Sequence, residues 1–194
     1  MIIFTDIEIV KDSEFDIDNY EKYWDRSWFM PEFNKILCIV VWTEKNWDIL
    51  TKILKWDEKE MIEEFFSIIS KNLNTYICWF NIVNFDIPFI IKRAIKLWII
   101  IPDVFKIYWK PKRELKYFID LKEVYSYWVF WNNWNLDLVC KFLWITSPKD
   151  EWIDWSLVQK YYDDWKEEEI YEYCVRDVVS TIRIYEYFKK FNLI

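Results

Sequence analysis

The chain contains no glycine. A sequence of 194 residues would ordinarily hold roughly 14, yet glycine is absent and tryptophan, normally rare, occurs 15 times. Glycine enters left-handed backbone without steric cost, so a chain without it must build tight turns and left-handed helix ends from side chains that resist them. The tryptophans stand at such places. Asn46-Trp47 lies between two apolar runs where Asn-Gly would make a hairpin turn, and Trp98 and Trp144 follow helical runs where a C-terminal glycine belongs. Many or all of the tryptophans therefore read as glycine positions, as follows if the gene uses UGA for glycine and was translated with UGA as tryptophan. A genuinely tryptophan-rich protein would force bulky residues into left-handed turns at about 1–2 kcal/mol each. UGG codons at these positions would rule recoding out.

Composition narrows the chemistry. There is no histidine, which removes Ser-His-Asp and Cys-His nucleophiles and leaves carboxylates, tyrosine, lysine and metals. Cys38, Cys78, Cys140 and Cys174 are widely spaced, form no Cys-x-x-Cys and have no histidine to complete a zinc site, so they read as reduced core thiols. The length suits one domain over residues 1–194, with no linker or repeat to divide it. The first residues carry acids without a basic lead and no run approaches a membrane span, so the expectation is a soluble cytoplasmic protein. A net charge of −7 argues against a broad grip on duplex nucleic acid. Two basic clusters remain, Lys92, Arg93 and Lys96, then Lys110, Lys112 and Arg113; each reads equally as a local grip or as a solvated helix face and a basic loop.

Period and punctuation predict the elements. Met1 to Val10 is a strand, residues 11–34 a loop, and Lys35–Val41 with Asp48–Leu54 a hairpin, giving three antiparallel strands. A helix starts at Asp57, with Met61, Phe65, Ile68 and Ile69 on one face. Asn74–Phe80 is a strand and Phe85–Leu97 a helix that tolerates Pro88 in its first turn. After a loop over Ile99–Arg113, Leu115–Leu121 is a fifth strand ending at Asp120. Helices follow: one capped by Asn135 or Asn133 through Leu143, one capped by Ser156 through Tyr162, and one over Glu167–Phe188.

Within this frame a few carboxylates are out of place. On a strand, Asp6 and Glu8 leave the same face side by side, which is costly to bury unless a cation neutralises them; an exposed edge strand would present the same pair harmlessly to water. Asp86 follows the fourth strand, where α/β sheets present functional residues at the carboxyl end. Asp177 interrupts the apolar stripe of the last helix, with Tyr173 one turn before it. Asp137, Asp154 and the run Asp163 to Glu169 read as helix-start, loop and solvated acids.

In this order and on these elements the set resembles the three exonuclease motifs of the DEDD superfamily, in its tyrosine branch. Tyr173 satisfies Tyr-x-x-x-Asp, whereas Glu172 occupies the place a histidine would take in the other branch. The chain is most similar to bacterial proteins described as predicted 3'-5' exonucleases related to the exonuclease domain of family B DNA polymerases. Asp6-Ile7-Glu8, Phe80 to Pro88, Asn135-Leu136-Asp137, Ile153 to Val158 and Tyr173 to Val178 carry that likeness almost from end to end. The departures are Trp79, Trp144 and Trp155, where such proteins carry glycine.

The resemblance implies a ribonuclease H-like α/β fold, a mixed five-stranded sheet flanked by helices, and removal of nucleotides from the 3' end of single-stranded DNA with two divalent ions. Asp6 is then the bridging ligand, Glu8 and Asp177 serve the ion that activates water, Asp86 serves the other, and Tyr173 orients the water because its ordinary pKa near 10 is too high for a base. Hard oxygen ligands favour Mg²⁺ or Mn²⁺. Asn81 and Phe85 are candidate contacts to the terminal nucleotide, although Phe85 reads more readily as a core aromatic at a helix start. The same chemistry on RNA and a non-catalytic nucleic-acid or protein-binding module are the rivals, and the acidic charge leaves room for a polymerase or helicase that delivers substrate.

Overall fold

This computed structural model describes residues 1–14, 29–45, 48–71, 75–105, 117–127, 134–150 and 153–194. The opening apolar run forms β1 (Ile2–Lys11), and the next two form β2 (Asn34–Lys45) and β3 (Asp48–Leu54). Later come β4 (Tyr76–Trp79) and the three-residue β5 (Phe118–Asp120). They make one sheet of order β3-β2-β1-β4-β5. β1 pairs antiparallel with β2, which pairs antiparallel with β3, while β1–β4 and β4–β5 are parallel. The mixed five-stranded sheet expected from the sequence is thus present, and β1 lies at its centre rather than at an edge. Asp6 and Glu8 are accordingly buried.

Six helices accompany the sheet among the described residues: α1 (Glu58–Ser70), α2 (Asp86–Lys96), α3 (Leu121–Ser126), α4 (Leu136–Phe142), α5 (Val158–Asp163) and α6 (Glu167–Lys190). Asp57 caps α1 by accepting from the N–H groups of Lys59 and Glu60, and α1 buries Met61, Phe65 and Ile69. α6 crosses β1 and β2. The Phe4 ring meets Tyr185 of α6 at 5.2 Å and Trp42 of β2 at 5.5 Å, so the face of β1 that α6 covers is the one shared by Phe4, Asp6 and Glu8.

Two local expectations change. Ser156 does not cap α5; it lies in a short 3-10 turn, Trp155–Leu157, and its N–H and hydroxyl bond to Asp154 instead. Asn135 does cap its helix, through Leu138 N–H. The cluster of Lys92, Arg93 and Lys96 is a solvated face only at Lys92 and Lys96, which are exposed, and all three cations are paired. Arg93 is buried between Asp12 and Glu58, Lys96 pairs with Asp12, and Lys92 pairs with Glu32. Removing one partner of such a buried pair costs roughly 3–5 kcal/mol, so this cluster ties β1, α1 and α2 together. Lys110, Lys112, Arg113, Asn133 and the hairpin turn expected at Asn46-Trp47 lie outside the described residues; the backbone register of β2 and β3 sets Lys45 opposite Asp48.

The backbone is left-handed at Asn81, Trp98, Tyr127, Trp144, Trp165 and Asn192. Half of these positions are tryptophan. All four cysteines are buried thiols, as expected. No described helix is long and apolar enough to cross a membrane.

Candidate functional site

The carboxyl end of β4 and the middle of β1 open into one cleft of about 950 Å³. Asp6 and Glu8 reach it because alternate residues of β1 share a face, and the register slips between Glu8 and Ile9, an irregularity that re-aims side chains locally. Asp86 arrives at the first turn of α2, where the helix N-terminus favours negative charge. Tyr173 and Asp177 arrive one turn apart on α6, as the apolar stripe around Asp177 requires. Asp6, Glu8, Tyr173 and Asp177 line the cleft, and Asp86 is buried beside it.

The carboxylates act on one another. Burial, then Glu8, Asp177 and Asp86, push Asp6 well above the usual carboxylate range. Glu8 is raised well above its ordinary value by burial, Asp177, Cys38 and Asp86. Asp86 is raised chiefly by burial, opposed by its own N–H and that of Ile7. Burial lifts Asp177 to about 7, against the Tyr173 hydroxyl, Lys149 and Arg176, which hold it down. The Tyr173 hydroxyl, buried and facing Asp177, Glu8 and Asp6, is pushed far above its ordinary pKa and donates to Asp177. Tyr173 and Asp177 thus act on each other, and Asp86, though buried beside the cleft, is within electrostatic reach of Asp6 and Asp177.

Crowded acids of this kind ask for a cation. Asp86 Oδ1 and Asp177 Oδ1 are buried without a hydrogen-bond partner among the described residues, and Asp6, Glu8 and Cys174 offer ligand atoms within 4.8 Å of one another. Carboxylate oxygens with no histidine suit a hard divalent ion, so the residues fit one. Such an ion would neutralise charge that burial otherwise forces into protonated form.

Around the acids stand Asn81 and Phe85, the two expected contacts, together with Asp120, Lys122 and Lys149, to which sequence reasoning gave no role there. Asn81, at φ 74°, turns the chain after β4, and its carbonyl accepts from the N–H groups of Asn84 and Phe85. Asp120, read only as a strand end, accepts from Asn81 N–H at 2.8 Å, Val83 N–H at 3.2 Å and Lys122 N–H at 3.0 Å, clamping the turn that leads to Asp86. Phe85 lines the cleft and meets Phe29 edge-on at 5.9 Å, while Phe89 behind it is at 5.8 Å. Lys122 and Lys149 line the same cleft and supply positive charge. Trp79, at the end of β4, forms part of the wall. Asp137 and Asp154 lie away from the acids, held by Ser147 and Ser156 respectively.

A family model described as a predicted 3'-5' exonuclease related to the exonuclease domain of PolB matches residues 27–193. That span includes Asp86, Tyr173 and Asp177 and begins after Asp6 and Glu8. Among solved structures, the family B DNA polymerase from the hyperthermophilic archaeon Pyrobaculum calidifontis superimposes with a TM-score of 0.71 at 18% identity, over 99% of this chain and 25% of the polymerase chain. The shared feature is the fold, an α/β sheet of ribonuclease H-like type, and this chain spans only a quarter of that polymerase. No curated protein matches.

Proposed function

Because the chain belongs to the family of predicted 3'-5' exonucleases related to the exonuclease domain of PolB, we propose that residues 1–194 form one cytoplasmic exonuclease domain that releases nucleotides singly from the 3' end of single-stranded DNA. The observation that supports this reading is one cleft lined by Asp6, Glu8, Tyr173 and Asp177, with Asp86 buried beside it and within electrostatic reach of Asp6 and Asp177. Two Mg²⁺ or Mn²⁺ ions, when bound, supply the Lewis acidity that activates a water and stabilises the departing 3' oxygen. Asp6 would be held in common by both ions, Glu8 and Asp177 would hold one of them, and Asp86 would hold the other.

The rest is done by the chain. The Tyr173 hydroxyl keeps its proton throughout the neutral range, so it acts as an oriented O–H group for the attacking water and not as a base. Phe85, braced by Phe29 and Phe89, offers a ring on which the terminal base stacks, worth about 1–3 kcal/mol. Asn81 presents its side chain at the same mouth, and Lys122 and Lys149 balance phosphate charge in a protein that is acidic elsewhere. A polymerase or helicase that hands over frayed ends would suit so small a basic surface.

Matched 5'-labelled DNA and RNA oligonucleotides test this directly. With Mg²⁺ or Mn²⁺, DNA should shorten from its 3' end in single steps, and Asp6→Ala or Glu8→Ala should each lower the rate at least about 10²–10³-fold. Undiminished cleavage in both variants would overturn the assignment. Preferential digestion of the RNA would make the protein an exoribonuclease, and cation-stabilised melting without any cleavage would make it a binding module.

A further inference from the structure

Behind the β1 acids lies a pair of thiols that the chemistry above does not use. Cys174, on α6, is fully buried and donates its S–H to Asp6 Oδ2 at 3.3 Å, across a separation of 168 residues. Cys38, fully buried on β2, is the cross-strand partner of Glu8. A carboxylate is a better acceptor than a thiol sulfur, so the S–H of Cys174 goes to Asp6. The two sulfurs thus underlie both acids of β1.

We propose that Cys174 is a positioning residue for the cation site: its S–H occupies one oxygen of Asp6, fixes the carboxylate plane and leaves the other oxygen to the cations. The inference rests on the cation-dependent reading of the cleft. Its physical basis is general, since groups that orient a ligating carboxylate typically govern metal affinity by 10–100-fold. A thiol suits the place because it packs as a small hydrophobe under the sheet while still presenting a donor. Cys174 also comes from the same turn of α6 as Tyr173 and Asp177, so one helix turn supplies a ligand, a water-orienting hydroxyl and the brace for the ligand opposite.

The test is Mn²⁺ binding by the whole chain, measured by titration calorimetry or by loss of the free-ion electron paramagnetic resonance signal. Cys174→Ala and Cys174→Val, which remove the donor with and without its volume, should each weaken Mn²⁺ binding about 10–100-fold, and activity in both should recover at raised Mn²⁺. Cys174→Ser, which keeps a donor, should bind within about threefold of the parent. Equal affinity in the parent and the donorless variants would overturn the proposal, as would a serine variant as weak as alanine. An infrared spectrum of the parent covers the case in which both donorless variants fail to fold: it should contain a red-shifted S–H band that Cys174→Ser removes, and its absence would also overturn the proposal. If the parent itself binds no Mn²⁺, the cation-dependent reading of the cleft fails, a result separable from any difference among the Cys174 variants.

Discussion

At Trp98, Trp144 and Trp165 the backbone takes φ of 58°, 57° and 60°. Each lies one residue past the cap of its helix and donates to a carbonyl three residues back, while the residue after it bonds to a carbonyl five residues back. For Trp98 these are Trp98 N–H to Ile95 O and Ile99 N–H to Ala94 O; the same pairs recur at Trp144–Ile145 and Trp165–Lys166. This is the Schellman ending, in which the left-handed residue is usually glycine because a Cβ crowds the carbonyl. The fourth such ending, after α6, uses Asn192, a residue that tolerates the left-handed region. The three indoles gain nothing in return, being 93%, 96% and 89% exposed. Backbone and composition thus agree on glycine at these positions. Replacing each with glycine should raise the unfolding free energy by roughly 1 kcal/mol, and the triple variant by about the sum, read as urea midpoints at constant slope. A triple variant no more stable than the parent, or UGG codons at these sites, would remove recoding as the explanation.

Between strand and helix, the turn after β4 is the element on which Asp86 depends. The Asn84 and Phe85 N–H groups bond within the turn, while Asp120 takes those of Asn81 and Val83 from the end of β5 and also caps α3. Burial raises the pKa of Asp120, and the Asn81, Val83 and Lys122 N–H groups oppose that rise. Asp120→Ala should therefore cost about 1–3 kcal/mol of stability for the orphaned donors. Nuclease rate should fall at least tenfold as Asp86 loses its setting, with Asp120→Asn intermediate because one oxygen still accepts; full activity in Asp120→Ala would show that the turn holds itself. Asp120 was hard to find in the sequence because an acid at a strand's end reads as an ordinary helix cap, which it also is. Asp177 was easy, since a lone carboxylate in the stripe of Ile170, Cys174 and Val178 breaks a pattern. Asp6 and Glu8 were half legible: period two put them on one face, but only the pairing of β1 with both β2 and β4 makes that face interior. Arg93 misled as part of a basic cluster because Glu58 and Asp12, its partners, lie far away along the chain. The contact of Cys174 with Asp6 has no local signature at all, being made by α6 crossing β1 at the far end of the sequence.

Over the whole molecule, the cost of concentrating four buried acids should appear as an inverted dependence of stability on pH. Asp6, Glu8 and Asp86 have pKa values raised well above the ordinary range and Asp177 is lifted to about 7, so without cations the folded state keeps protons that the unfolded chain releases above pH about 4. A folded state that binds more protons loses stability as pH rises, here from about 4 until the acids ionise near 7 and beyond. The lowered carboxylates, Asp12, Asp137 and Asp154, act the other way, but their contribution is lost only as pH falls below about 4, outside this window. Cations bind the ionised acids and reverse the penalty. At a hundred times its dissociation constant an ion adds about 2.7 kcal/mol, or roughly 5–10 °C in Tm for a chain of this length. Thermal melts in EDTA should therefore show Tm falling between pH 5.5 and 8, with Asp177→Asn flattening the slope. Added Mg²⁺ or Mn²⁺ should raise Tm more at pH 8 than at pH 5.5, where protons compete for the same oxygens. A Tm indifferent to both ions at pH 8, together with an EDTA form that grows more stable toward alkaline pH, would mean that these acids neither hold a metal nor strain the fold.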